Sequence, residues 1–526
     1  MSERADVVVI GGGHNGLVAA TLLARAGLDV VVCEAAEVLG GAARTEAPFA
    51  AVPELRHSTG AYLLGLMPPE LIATLGLDLP LLRRDPHYAL PAPVGSSLPS
   101  LVFGADAAAN AAALEAAFSP ADARADAALQ GELAQLREDL APAWLAEPLS
   151  LEDTAERYLR PALREVFVAA CQGSVVDYLD RFGFASERLL AMYAVTDGIS
   201  GLSAGVDDPG TGHNFLAHNM GRLPGSDGTW MIVRGGMGTV ASALADAARA
   251  AGARLLTGTA VRAVDTTDGV VSGVDLDRGR IGTAVVLAAC DPFRLPALVG
   301  PALPADLRER LDRIRRPGVT FKLNLALRDV PRFPALSGLG NFTGTGGATA
   351  HLMPGEDRPL AAVRSMWADV QAGRLPEFPT IEWYLHTTVD PSLQDPAGHH
   401  SSALFVQSVP HVPAGSSWEA ELPGYTEHLL AVCDRFAPGT SASVADTLAL
   451  PPPGIEARFG ITGGHIHHVD NTIAFADRVP YATGLPGLYA GSAGCHPAGS
   501  VIGAAGHNAA ARILADLGRV DRSLSR

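Results

Sequence analysis

Residues Val7 to Glu34 read V-V-V-I-G-G-G-H-N-G-L-V-A-A-T-L-L-A-R-A-G-L-D-V-V-V-C-E. An apolar strand runs into a glycine turn, a helix follows with Leu17, Ala20, Leu23 and Ala24 on one face, and a second apolar strand ends in an acid. That order predicts a dinucleotide-binding βαβ unit. Gly11 allows the sharp turn, Gly13 lets the backbone approach a pyrophosphate, and Gly16 lets the helix lie close to the sheet. His14, Asn15 and Gly16 open the helix, whose free N–H groups and dipole favour phosphate. Gly27 is expected to cap its far end. Glu34 stands where a carboxylate accepts hydrogen bonds from ribose hydroxyls, which argues against a 2′-phosphate and so against NADP.

Working outward, Leu39-Gly40-Gly41-Ala42-Ala43-Arg44-Thr45 is a second close-approach turn with an arginine beside it. The alanine-rich stretch from Ala105 to Leu149, with Leu114, Phe118, Leu129, Leu133 and Leu136, predicts amphipathic helices, and Asp153 to Leu190 continues in that manner. Pro209 to Gly221, with His213 and His218, reads as a loop. A helix over Val240 to Ala251 and strands near 254–256, 260–264, 270–276 and 284–289 return the chain to an α/β pattern. Strands at Thr320 to Leu327 and Thr380 to His386 suit a sheet covering a substrate. A strand at the Leu488 end of the chain then enters a glycine turn at Gly491, with a helix from Ser500 to Leu514.

The chain has 526 residues, 48% of them hydrophobic and 18% charged, which suits two folded domains with large cores. The expected division places 1–72, 225–300 and 455–526 in a nucleotide-binding domain, and 73–224 with 301–454 in a substrate domain. A net charge of −17, with no basic cluster, opposes binding to nucleic acid. Neither a signal peptide nor a long apolar span is evident, so a cytoplasmic protein without a transmembrane segment is expected. Peripheral membrane contact through the Pro304 to Pro453 region stays open. Five cysteines without a C-x-x-C pair exclude a dithiol redox centre, so redox chemistry would come from a cofactor. His465, His467 and His468 lack a carboxylate or cysteine at ligand spacing, and no metal is expected.

Several separated motifs together resemble the phytoene desaturase-like FAD-dependent oxidoreductases, in the branch of pyridine nucleotide-disulphide oxidoreductase domain-containing protein 2. They are G-G-G-H-N-G-L-V-A-A from Gly11, G-G-A-A-R-T from Gly40, F-S-P-A-D-A from Phe118 and D-P-G-T from Asp208. W-M-I-V-R-G-G-M-G from Trp230, F-V-Q-S-V-P from Phe405 and G-L-Y-A-G-S-A-G-C-H-P-A-G-S-V-I-G-A from Gly487 complete the set. The resemblance implies an α/β fold in which a Rossmann-type FAD-binding domain interleaves with a mixed α+β substrate domain, with FAD held non-covalently. It implies that Gly11, Gly13, Gly16 and Glu34 hold the ADP half, that Gly40, Gly41 and Arg44 face the diphosphate side, and that Val261 meets the adenine. Gly491, Ser492, Gly499, Ser500 and Val501 would approach the isoalloxazine. Cys495, where a small polar residue is expected, and Ser500, where glycine is frequent, depart from the pattern.

The expected activity is desaturation of a small apolar or lipid-like metabolite by hydride transfer to flavin N5, with oxygen or a quinone as electron acceptor. His57, His218 and His468 are the candidate proton acceptors, since a histidine exchanges protons near neutral pH. A redox-neutral isomerase or an amine oxidase on the same scaffold is the alternative among enzymes. A non-catalytic escort of prenylated GTPases is the alternative of another class, against which the intact Gly11, Gly13, Gly16, Glu34 and Arg44 set argues.

Overall fold

A computed structural model describes residues 3–226, 228–339 and 347–519. The strand Val7–Ile10 is fully buried and pairs in parallel with Val30–Cys33 on one side and Val285–Ala288 on the other. Arg254–Leu256 and Leu488–Ala490 complete a five-stranded sheet, also in parallel. A sheet buried on both faces needs continuous apolar strands, and V-V-V-I, V-V-V-C and V-V-L-A supply them. The strands come from both ends of the chain and from its middle.

The helix His14–Arg25 lies on this sheet, packed against Gly238–Ala250 and the last helix, Ala504–Asp516. Small residues set the spacing: a Cβ on Gly16 would meet the Gly11 carbonyl oxygen at 2.0 Å, and one on Gly506 would meet the Asn15 carbonyl oxygen at the same distance.

A second sheet has seven strands, ordered Val444–Leu450, Phe321–Leu327, His400–Val406, Ile381–Leu385, Thr349–Leu352, Tyr88–Leu90 and Leu101–Phe103. Its strand Phe321–Leu327 alternates: Phe321, Leu323 and Leu325 join Trp418, Tyr425 and Leu429 in a core beneath the helix Trp418–Asp434, so Lys322 and Asn324 point to the opposite face. Helices Ala107–Ala117 and Pro120–Leu140 and their successors form a further apolar cluster beside it.

Two local expectations are corrected. The segment read as a loop at Pro209 to Gly221 contains the helix Thr211–His218, every residue of which is buried. A helix covered on all sides shows no amphipathic period, which is why it reads as irregular. The last helix begins at Ala504 rather than Ser500, because Gly503 at φ +81° turns the chain just before it. Among the described residues no helix is long and apolar enough to cross a membrane. Of their large exposed apolar side chains, Val412 alone falls between Pro304 and Pro453.

Candidate active site

Between the two sheets lies a cavity of about 1250 Å³. Small-molecule pockets usually occupy about 300–1,000 Å³, so this chamber has room for a dinucleotide and a substrate together. Its walls divide by origin.

One wall is the C-terminal edge of the five-stranded sheet. Gly11, at φ +104°, turns the chain out of strand Val7–Ile10, in a conformation open to glycine. Gly13 borders the cavity, and a Cβ placed on it would meet nothing within 4 Å, so its bare backbone faces open space. The helix that follows has no side-chain cap and no acid in its first turn, leaving its N–H groups to an anion. Glu34 accepts hydrogen bonds from Gly12 N at 2.7 Å through Oε2 and from Ala36 N at 2.8 Å through Oε1. The carboxylate is thereby fixed, with remaining lone pairs at the cavity. Gly40 and Gly41 also line it, Gly40 N bonding Gly12 O at 2.8 Å, and Val261 borders it at the start of strand Val261–Thr267.

Arg44 is turned elsewhere: its Nη2 donates to Arg458 O at 2.9 Å, its Nε lies 3.6 Å from Glu46, and its guanidinium covers Phe459. The arginines that border the cavity on this side are Arg262, Arg294 and Arg458. At the C-terminal motif, Ser500 and Val501 border the cavity but Gly491, Ser492 and Gly499 stand behind it. Gly491 makes room for Ala509 and Leu287, and Ser492 Oγ accepts from Gly494 N. Gly499 lies against His467, whose Nδ1 sits 2.7 Å from its carbonyl. Gly16 likewise serves packing. Cys495 is buried away from the chamber, its thiol pushed up to about 12 by burial.

His14 and His468 face the cavity together. Burial lowers both, His14 to about 4, and the neighbouring His468 further disfavours charge on His14. His14 Nε2 and His468 Nδ1 are buried with no hydrogen-bond partner among the described residues. His468 holds φ +61°, rare for a histidine, and its Nδ1 is 3.9 Å from Asp291. Polar atoms left waiting beside a bare glycine backbone, an uncapped helix and a fixed acid fit an extended dinucleotide. His465 and His467 are engaged within the protein, at 2.9 Å from Asp470 and 3.0 Å from Ser200 O.

The opposite wall is the polar face of the seven-stranded sheet. Lys322 stands opposite Phe405, Phe405 opposite Glu382, and Glu382 opposite His351, one row across four strands. All four border the cavity. Lys322 Nζ sits 4.2 Å from the centre of the Tyr62 ring and 4.6 Å from that of Phe405. Burial pushes it down to about 7. Glu382 receives hydrogen bonds from Tyr384, from Gln407 at 2.6 Å and from Ser200 at 3.3 Å, and burial raises its carboxyl. Arg84 donates Nε to Trp230 O at 3.1 Å and Nη1 to Thr349 Oγ1, and burial brings it to about 10.

The histidine candidates separate. His218 ends its helix at the cavity, Nδ1 3.7 Å from Asp197 Oδ1. Asp197 and Thr196 reach the same space from a π-helical turn, Ala194–Gly198, an irregularity frequent at functional sites. His57 does not border the cavity: Nδ1 contacts Ser401 at 2.7 Å and Nε2 contacts Asn324 at 2.8 Å, and burial lowers it to about 4. It stands behind Tyr62, whose hydroxyl donates to the same Asn324 oxygen. With both nitrogens engaged, His57 is a support rather than a proton acceptor. Lys322, Glu382, Tyr384, Arg84, Tyr62 and Asp197 were not anticipated as site residues. For Lys322, Glu382 and Tyr384 the signal was polar residues alternating inside apolar strands, as in F-K-L-N-L and I-E-W-Y-L.

Comparison with known proteins agrees with this geometry. The profile of the NAD(P)-binding Rossmann-like domain matches residues 9–72, and that of the flavin containing amine oxidoreductases matches 98–360. Pyridine nucleotide-disulfide oxidoreductase domain-containing protein 2 of Mus musculus is 32% identical over 98% of this chain and 94% of its own length. Hydroxyneurosporene desaturase of Rhodobacter capsulatus is 28% identical, covering 98% of this chain and 99% of that one. Among solved structures, an oxidoreductase from Methanosarcina mazei superposes with a TM-score of 0.65 at 17% identity, over 97% of this chain and 100% of that chain.

Proposed function

The chain belongs to the flavin-containing amine oxidoreductase family, as an FAD-dependent oxidoreductase of the phytoene desaturase-like kind, and we propose that it dehydrogenates a small metabolite held in the chamber between its two sheets. The observation that carries the reading is the continuity of that chamber, from the Glu34 carboxylate and the bare Gly13 backbone to the Lys322–His351 row.

FAD, when bound, accepts a hydride from a substrate C–H bond. The residues facing the chamber supply position and proton handling. Gly11, Gly13, His14, Asn15, Gly40 and Gly41 would cradle the diphosphate side and Glu34 the ribose, with Val261 toward the adenine end. Ser500 and Val501 bring the N-terminus of the last helix toward the redox end, where its dipole favours negative charge. Tyr62, Tyr384, Phe405 and Trp230 exclude water around the reacting carbon. His218 takes the proton leaving the neighbouring atom, and Asp197 orients the ring and steadies its charge.

Dividing the chain at 72, 225, 301 and 455 into a flavin part and a substrate part belongs to the same reading, supported by the composition of the two sheets. So do oxygen or a quinone as electron acceptor and a cytoplasmic site of action. The test is the visible spectrum of the purified protein before and after denaturation, followed by anaerobic addition of candidate substrates. A flavin band released on denaturation and bleached by substrate, with a product lighter by two hydrogens, is expected. An unchanged substrate mass would make the protein an isomerase, and an imine or aldehyde product an amine oxidase. A protein that binds no flavin after reconstitution would overturn the reading.

A further inference from the structure

The polar wall of the chamber is over-supplied with unpaired positive charge. Lys322 is 6% exposed, yet among the described residues its ammonium has no hydrogen-bond acceptor and no ion pair, only the faces of two rings. Arg84 is equally buried and among the described residues donates only to neutral acceptors, the Trp230 carbonyl and the Thr349 hydroxyl. Buried cations are ordinarily paired, because removing a charge from water costs several kcal/mol unless an opposite charge repays it.

Two of the carboxylates lining the chamber, Glu382 and Asp197, form an ion pair with neither cation, and Glu382 favours the charge of both only through longer-range attraction. Glu382 lies in the same row as Lys322 but is occupied by Tyr384, Gln407 and Ser200, and burial disfavours its charge. Asp197 faces His218 and accepts from Asn219 at 3.3 Å. Neither lies within ion-pair distance of Lys322 or Arg84. Lys322 from the row and Arg84, which follows strand Leu81–Leu82, both border the chamber, as do Tyr62, Tyr384 and Phe405.

We propose that the substrate is an organic acid, whose carboxylate is bound by Lys322 and Arg84 while its hydrocarbon part lies among Tyr62, Tyr384 and Phe405. This rests on reading the chamber as the site of dehydrogenation, and it replaces the expectation of a wholly apolar substrate with an amphipathic one. Two cations also discriminate against a substrate ammonium, which would meet like charge. An arginine and a lysine together suit a carboxylate: Arg84 Nη2, unbonded among the described residues, offers a directed donor, and Lys322 an adaptable one.

The test is calorimetric titration of the flavin-loaded protein with benzoate and with straight-chain monocarboxylates from butanoate to decanoate. The matching primary amides and primary amines are titrated beside them. At least one carboxylate is expected to bind about tenfold or more tightly than its amide, the span expected of hydrogen bonds to charged groups. That preference should disappear in Lys322→Gln and persist in Lys322→Arg, with flavin absorbance unchanged in both as the check that each variant is folded. Amides or amines binding as well as the acids, no carboxylate in the series binding, or a preference that survives Lys322→Gln would each overturn the proposal. Heat of binding is read without turnover, and flavin content comes from the spectrum, so a failed flavoprotein reading and a failed organic-acid reading are told apart.

Discussion

Glu34 works with the lone pairs its backbone partners leave over. Gly12 N and Ala36 N fix its two oxygens, so the carboxylate meets a ribose already oriented. Glu34→Ala removes that acceptor, and flavin affinity is expected to fall about tenfold to hundredfold, as for a hydrogen bond to a charged group. Fluorescence titration of the apoprotein with FAD measures it; an unaltered dissociation constant would place the ribose elsewhere. Lys322 carries a pH prediction. Burial holds it at about 7, so its charge is present below that value and is lost as pH rises through it. Burial raises the Glu382 carboxyl in the same row, while Arg84 and the high-lying Tyr62 and Tyr384 do not change over this range. His57 behind Tyr62 is already neutral. Loss of the Lys322 charge makes the chamber more negative, so carboxylate affinity should weaken between about pH 6 and 8. In Lys322→Arg that decline should flatten, since arginine keeps its charge. An affinity constant across the range in the unsubstituted protein would remove Lys322 from the binding of the acid.

The first helix is an element whose placement depends on hydrogen atoms. Gly16 lies where a Cβ would stand 2.0 Å from the Gly11 carbonyl oxygen, and backbone cannot yield as a flexible side chain would. Gly16→Val is expected to cost about 3 kcal/mol or more through overpacking, and to abolish flavin binding because the helix N-terminus and Glu34 part company. Denaturant unfolding measures the first effect and absorbance the second. A stable, yellow variant would mean that helix and strand separate more easily than their contact suggests. This element was legible in the sequence because glycine turn, apolar strands and terminal acid all act locally. Other elements were not. The helix Thr211–His218 hides its period because it is buried all round, and Arg44 beside its glycine pair gives no hint that it turns onto Phe459. The row of Lys322, Phe405, Glu382 and His351 is created by register between strands far apart in the chain, which no single stretch records. His57 looked reactive for the same reason: only the fold brings Asn324 and Ser401 to its two nitrogens.

At the scale of the whole molecule, the chamber is where the two sheets face each other, and a ligand filling it bridges walls that the protein alone leaves apart. The buried Nε2 of His14 and Nδ1 of His468 have no partners among the described residues, a desolvation cost that a dinucleotide would offset. FAD should therefore stabilise the entire fold rather than one wall. A ligand bound only by the native state contributes RT ln(1 + [L]/Kd), about 2.7 kcal/mol at a hundredfold excess over Kd. The apoprotein is expected to melt several degrees lower than the holoprotein, with a midpoint that climbs with the logarithm of added FAD. Calorimetry should show both sheets unfolding in one transition in the presence of FAD. Two transitions, of which only one responds to FAD, would mean that the flavin is held by the five-stranded sheet alone. The Lys322 wall would then fold and melt independently, and closing the chamber around a substrate would fall to the substrate itself.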